Sequence, residues 1–313
     1  MKKFMIFLLF PFSLFSQGFI IDQSDYNSYE KNFPLTRSIL PNTFSLEEFT
    51  HSSLSQGQYG MCVSYALASI QSIIFAKRNN ITDINQINNN LFSSSFLYFL
   101  FKDNDDISCS KGMDAIHTIK TLIEFELGIP KKNSVEENKF ELICDYYPYT
   151  ISDLELDLME GSKFRLDDYY THTKKLKNGK FQANHKAIKQ QLLVGYPSLL
   201  SIPIDSNFQY EESISYCKQI NSNLEADHAV VIIGFDDFKF GGSYRILNSW
   251  GGDWEDKGKA WVKYNDLDAF MGNIISIESI EIHDPVSDNK FWSRMTTVFD
   301  RDFKFVNDTL IKR

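Results

Sequence analysis

The sequence has no excess of positive charge. Against 41 Asp and Glu it carries 32 Lys and Arg, a net charge of −9 with a pI near 5.2, so it lacks the basic face that nucleic-acid binding requires. The one basic cluster, Lys174, Lys175, Lys177 and Lys180, is broken by Asn178 and Gly179 and reads as a solvated loop. Cysteine is scarce: Cys62, Cys109, Cys144 and Cys217 are four in 313 residues, too few for a scaffold built on disulfides. No Cys or His pair has ligand spacing such as C-x-x-C or H-E-x-x-H, so neither a metal nor a cofactor is expected. With 15 Gly and 8 Pro the chain is not collagen-like, and it shows no internal repeat.

Long apolar runs are also missing, since none reaches the roughly 20 residues of a membrane span. The nearest is at the N-terminus, where Lys2 and Lys3 precede the apolar residues Phe4 to Phe10, Pro11 and Phe12 to Phe15, followed by Ser16. A short basic segment before about a dozen apolar residues fits a secretory signal. Cleavage is expected after Ser16, and no cysteine stands there to carry a lipid. The expectation is an exported protein, periplasmic or secreted, with no membrane attachment after cleavage.

What is present is material for a core. Hydrophobic residues make up 43% and aromatics 15%, with 27 Phe and 15 Tyr, which places the chain among folded globular proteins of one large or two medium domains. Residues 17–41, broken by Pro34 and Pro41, show no period and read as an extended lead-in or short pro-segment. From Cys62 to about Asn79, apolar residues recur at three and four, the period of a core helix. Further helices are expected over 93–101, 113–125 and 186–194, and strands over 198–204, 229–235, 243–247, 259–264 and 274–282. The charged stretch from about 146 to 184 reads as an irregular crossing between a helical half, 42–150, and a strand-rich half, 151–283. Residues 284–313 form a C-terminal extension. The fold class is α+β with segregated halves.

Chemistry concentrates in three places. Gln56, Gly57, Gln58, Tyr59, Gly60 and Met61 lead into Cys62 at the mouth of the first helix. Unpaired amides and the helix dipole favour a thiolate there, although a lone cysteine at a helix start is more often a small buried hydrophobe than a nucleophile. Asp227 and His228 open the apolar strand Ala229 to Ile233, where a histidine is either a base or a strand end. Farther on, Asn248, Ser249, Trp250, Gly251 and Gly252 run from a strand into a turn; an Asn there can accept an imidazole N–H beneath a shielding indole.

Together these segments resemble the papain-like cysteine peptidases. The family's Gln-Gly-x-x-Gly-x-Cys block falls without gaps on Gln56, Gly57, Gly60 and Cys62, its histidine block on Asp227, His228 and Ala229, and its Asn-Ser-Trp-Gly block on Asn248, Ser249, Trp250 and Gly251. Weaker echoes lie in order between them at Cys109 and Gly112, Gly128 and Ile129, Tyr147 to Tyr149, and Pro197. The resemblance implies a helical left subdomain and an antiparallel, barrel-like right subdomain with the active-site cleft between. It also implies that Cys62 attacks a peptide carbonyl, that His228 holds and returns the proton, and that Asn248 orients His228. Gln56 and the Cys62 N–H would form the oxyanion hole. Gly112, Trp250 and Asp227 would meet the substrate, a peptide or an unfolded protein, and the chain would act as a monomer.

The chain departs from the family at Tyr59, where a cysteine that pairs with the Cys109 position is usual, at Met61, usually a small residue, and at Val63, usually Trp. Two other readings use the same residues: an idle binding module of this fold, and a thiol amidase or acyl transferase.

Overall fold

The computed structural model describes residues 19–20, 30–103, 105–134, 151–176, 181–205, 208, 217–220, 227–268, 273–281, 303–306 and 309–312. The expected signal segment 1–16, Cys144, the Tyr147 to Tyr149 echo and most of the C-terminal extension lie outside them.

The organising helix is α1 (Cys62–Arg78). Val63, Ala66, Leu67, Ile70, Ile73 and Ile74 are buried at the expected spacing, but Ser64, Ser69, Gln71 and Ser72 on its other sides are buried too. It is therefore wrapped by protein instead of lying on a surface, packing on the helix Ser94–Phe101 and on four strands. Its last turn carries Lys77 and Arg78, whose charges suit the negative end of the helix dipole. Helices α2 (Ile84–Asn89), α3 (Ser94–Phe101) and α4 (Ala115–Glu124) each start at a side-chain cap, from Asp83, Ser93 and Asp114 respectively, that accepts an otherwise orphaned amide.

Helix α5 (Ile151–Ser162) is followed by strands β4 (Phe164–Thr171), β5 (Thr173–Lys175) and β6 (Phe181–Ala183). With β1 (Phe19–Ile20), β2 (Thr43–Ser45) and β3 (Met113–Asp114) earlier in the chain, the later elements are helix α6 (His185–Val194), β7 (Ser198–Ile202), β8 (Cys217–Lys218), β9 (His228–Asp236), β10 (Ser243–Leu247), β11 (Lys259–Lys263), helix α7 (Tyr264–Leu267), β12 (Ile274–Glu281), β13 (Phe303–Val306) and β14 (Thr309–Lys312).

An eight-stranded sheet runs β4-β12-β7-β9-β10-β11-β8, with β2 also on β9. It is antiparallel except where β8 meets β11, and among the described residues no pairing closes it into a barrel. β9 is its centre. Every residue from His228 to Phe235 is buried, which explains the unbroken apolar run where a half-exposed strand would alternate. The α+β class holds, and the helices and strands read from residue periods over 62–125 and 186–281 are present within one or two residues of their expected ends, β10 at its expected bounds.

The stretch 146–184 corrects the sequence reading. In place of an irregular crossing it contains α5 and β4, the latter forming the sheet edge against β12. Its charges hid the pattern because two of those on β4 are paired from distant segments. Arg165 pairs with Glu126 and Asp168 with Lys31 of the lead-in, while Leu158, Phe164 and Leu166 are buried between them. Among the described residues no helix is long and apolar enough to cross a membrane.

Candidate active site

Cys62 is the first residue of α1, and Met61 at the N-cap offers the helix no side-chain acceptor. The positive end of a 17-residue helix is thus directed at the thiol. The approach to it is tightly fixed. Gly60 N–H donates to Cys109 O at 2.6 Å, and a Cβ on Gly60 would lie 2.8 Å from Ser110 O, so only glycine fits. Cys62 is free of any disulfide, whereas Cys109 is disulfide-bonded. Cys217 is also free.

The state of His228 follows from its partners. Asn248 Oδ1 takes the Ser249 backbone N–H at 2.8 Å, and since an N–H can only donate, that atom is the amide oxygen. It also lies 2.8 Å from His228 Nε2, which must therefore carry the proton. Nδ1 is left as the unprotonated nitrogen, buried and without a hydrogen bond. This is the tautomer a general base needs. Burial lowers the pKa of His228 to about 4, opposed by the hydrogen bond to Asn248, so the lone imidazole is neutral. Trp250 lies over it with ring centroids 4.8 Å apart, and stands edge-on to Trp254 and Phe208.

Gln56 joins the same network. Its Oε1 accepts from Ser249 Oγ at 2.6 Å, its Nε2 donates to Tyr59 O at 2.8 Å, and its backbone N–H donates to Ser249 O at 2.9 Å. One hydrogen of the Nε2 amino group remains to be given. Ser249 therefore links the oxyanion donor expected in the loop to the residue that orients the histidine. Helix α1, which begins at Cys62, packs against β9, which begins at His228.

The expected substrate contacts divide. Trp250 is placed as the wall over the imidazole. Gly112 has φ +86, a conformation that favours glycine, and its N–H donates to Tyr98 Oη at 3.3 Å, so that amide is already engaged. Asp227 turns to its own scaffold, accepting the Ile204 N–H at 3.0 Å, and burial raises its pKa to about 6.

Sequence reading missed Asp106, which is 1% exposed. Its carboxylate accepts from Tyr98 Oη at 2.5 Å and from the Ser110 and Lys111 amides at 2.9 and 3.3 Å, so it shapes the loop between Cys109 and Gly112. The only signal was an acidic residue three before Cys109, lost among Asp103 and Asp105. Phe208, the third aromatic of the Trp250 cluster, was missed as well. Among the described residues no group of three His, Cys, Asp or Glu could hold a metal ion.

Solved structures of similar fold include xylellain, a cysteine protease from Xylella fastidiosa, with a TM-score of 0.63 at 17% identity over 85% of this chain and 97% of that one. Digestive procathepsin L 3 of Tenebrio molitor gives 0.59 at 14% identity over 83% and 76%. The bromelain protease of Ananas comosus gives 0.52 at 15% over 76% and 99%. No curated protein shows significant sequence similarity. Residues 51–279 match the family model described as papain family cysteine protease. That match takes in every block from Gln56 to Trp250, and with it the chain belongs to the papain family.

Proposed function

We propose that the protein is an exported thiol peptidase that hydrolyses peptide bonds through Cys62. The carrying observation is Asn248 Oδ1 held between Ser249 N–H and His228 Nε2–H, which commits the other ring nitrogen to proton transfer. In this reading the Cys62 proton passes to His228 Nδ1 and the thiolate adds to a substrate carbonyl. Gln56 Nε2 and the Cys62 N–H then stabilise the oxyanion. Collapse expels the amine, which takes the proton back from His228 and leaves an acyl-enzyme that water hydrolyses. Unstructured peptides and unfolded proteins are the substrates this reading expects, and the lysine pair before the N-terminal apolar run supports export.

The test is incubation of the protein from residue 17 with a peptide library, before and after limiting treatment with a thiol alkylator. Cleavage that disappears in proportion to alkylation, with the mass on Cys62 ahead of Cys217, is the expected result. Cleavage that survives full labelling of Cys62 excludes the mechanism.

A second expectation concerns the lead-in. Cys62 and His228 are each 0% exposed, so a substrate carbonyl cannot reach them until something moves. β1 pairs in parallel with β3, Phe19 opposite Met113 and Ile20 opposite Asp114, next to Gly112. The lead-in is tied down again by Lys31 with Asp168 and by Thr36 with Gln190. We read residues 17–41 as a short pro-segment that limits access to Cys62. A chain starting at residue 42 is expected to turn over small peptides about ten-fold faster or more, and a synthetic peptide of residues 17–41 to reverse the gain by competition; equal rates for the two chains would count against the segment.

A further inference from the structure

A cavity of about 10 Å³ lies behind the catalytic asparagine, lined by His51, Leu54, Tyr65, Ser69, Val230 and Asn248 among others. That is room for one water, which persists in a protein only where two or more polar groups hold it. Two such groups stand on this wall.

The first is His51, 2% exposed, just beyond the short helical turn Glu47–Phe49. Its Nδ1 is 2.7 Å from Ser52 O. A carbonyl can only accept, so Nδ1 carries the proton and Nε2 is a bare acceptor. Burial brings the pKa of this ring down to about 4, and no second proton resides there. Nε2 is buried and meets no protein donor. The second group is Asn248 itself. Its Oδ1 is satisfied twice, but its Nδ2, a double donor, is buried and meets no protein acceptor. A neutral acceptor and a neutral donor, both sealed from solvent, border a space that fits a single water.

We propose that His51 is a positioning residue for Asn248, acting through one buried water that accepts a hydrogen bond from Asn248 Nδ2 and donates one to His51 Nε2. Ser69 is a further polar residue on the wall for the second water proton. The bridge completes a grip on Asn248 from one segment: Ser53 Oγ, two residues after His51, donates to Asn248 O at 2.8 Å, and Ser52 N–H is anchored on Asn88 Oδ1 at 3.1 Å. The backbone is fixed by Ser53 and the far side of the amide by His51 through water, so the plane that aims Oδ1 at His228 cannot swing. The water bridge stands on geometry alone; its catalytic meaning rests on the thiol-peptidase reading.

The experiment has two arms. A crystal structure of the full mature chain at about 1.5 Å or better is expected to show one water within about 3.2 Å of both His51 Nε2 and Asn248 Nδ2. A dry cavity, or a water touching only one of them, overturns the bridge, whatever the protein hydrolyses. In the kinetic arm, His51→Leu and His51→Gln are compared with the parent, rates being normalised to Cys62 titrated by an irreversible alkylator. His51→Leu removes the acceptor and is expected to lower kcat about 10- to 100-fold with KM unchanged, as small displacements of a catalytic group do. His51→Gln, whose Oε1 can accept from the water, is expected to stay within a few-fold of the parent. Full activity in folded His51→Leu, or an equal loss in both variants with a raised KM, overturns the positioning role. A parent that cleaves no peptide removes the peptidase reading and leaves the crystallographic arm to decide the bridge.

Discussion

Replacing Cys62 with alanine is expected to abolish peptide hydrolysis, a fall of about 10,000-fold or more, while leaving the fold intact. Both halves of the statement follow from the site. In the proposed mechanism the thiol forms the acyl-enzyme, and among the described site residues neither His228, neutral and sealed under Trp250, nor Asn248 supplies a substitute nucleophile. Alanine keeps the helical backbone of α1, and its Cβ occupies most of the volume of a small buried side chain. The loss in stability is expected at about 1 kcal/mol, the scale of removing a single buried heavy atom. Peptide cleavage and thermal unfolding measured on the same preparation check the pair of claims. A Cys62→Ala protein that unfolds cooperatively near the parent and still cleaves at the parent's rate sinks the nucleophile assignment. Unfolding of the variant at ambient temperature would instead show that Cys62 serves packing.

Much of this site could be read from the sequence because its chemistry is local. Gln56 precedes Cys62 by six residues in one loop, and Asn248 and Trp250 share a single turn, so sequence block and candidate site coincide. His228 was recognisable by contrast, a polar ring at the head of an all-apolar strand. The parts that were not legible depend on partners far along the chain. Ser249 was noticed as a motif member, yet its hydrogen bond to Gln56 spans 193 residues and has no sequence signature. Asp106 lies in an acidic run and acquires its role only because the loop folds around it. The charged segment that became α5 and β4 was misread for the same reason: Arg165 and Asp168 look solvent-bound until Glu126 and Lys31 arrive from elsewhere. Residue period reveals which face is buried, but it does not tell which charges are matched across the fold.

Gln56→Ala is expected to lower kcat by about 100- to 1,000-fold with little change in KM, the signature of a donor that acts on the oxyanion and not on the bound peptide. The geometry makes this separation clean. Gln56 is fixed before any substrate arrives, by Ser249 Oγ on its oxygen and by Tyr59 O on one hydrogen of its nitrogen. The remaining hydrogen needs no reorganisation to meet a developing negative charge. Truncation should also leave the neighbours in place, because the Gln56 backbone N–H stays bonded to Ser249 O and Asn248 Oδ1 keeps the Ser249 N–H. The loss is therefore attributable to the amide and not to a displaced His228. Steady-state kinetics on a good peptide substrate, with the alkylation rate of Cys62 measured in parallel, provide the check. Alkylation forms no oxyanion, so it should proceed at the parental rate while peptide turnover falls. If alkylation slows as much as turnover, Gln56 supports the thiol instead of the transition state; if KM rises and kcat holds, it binds substrate.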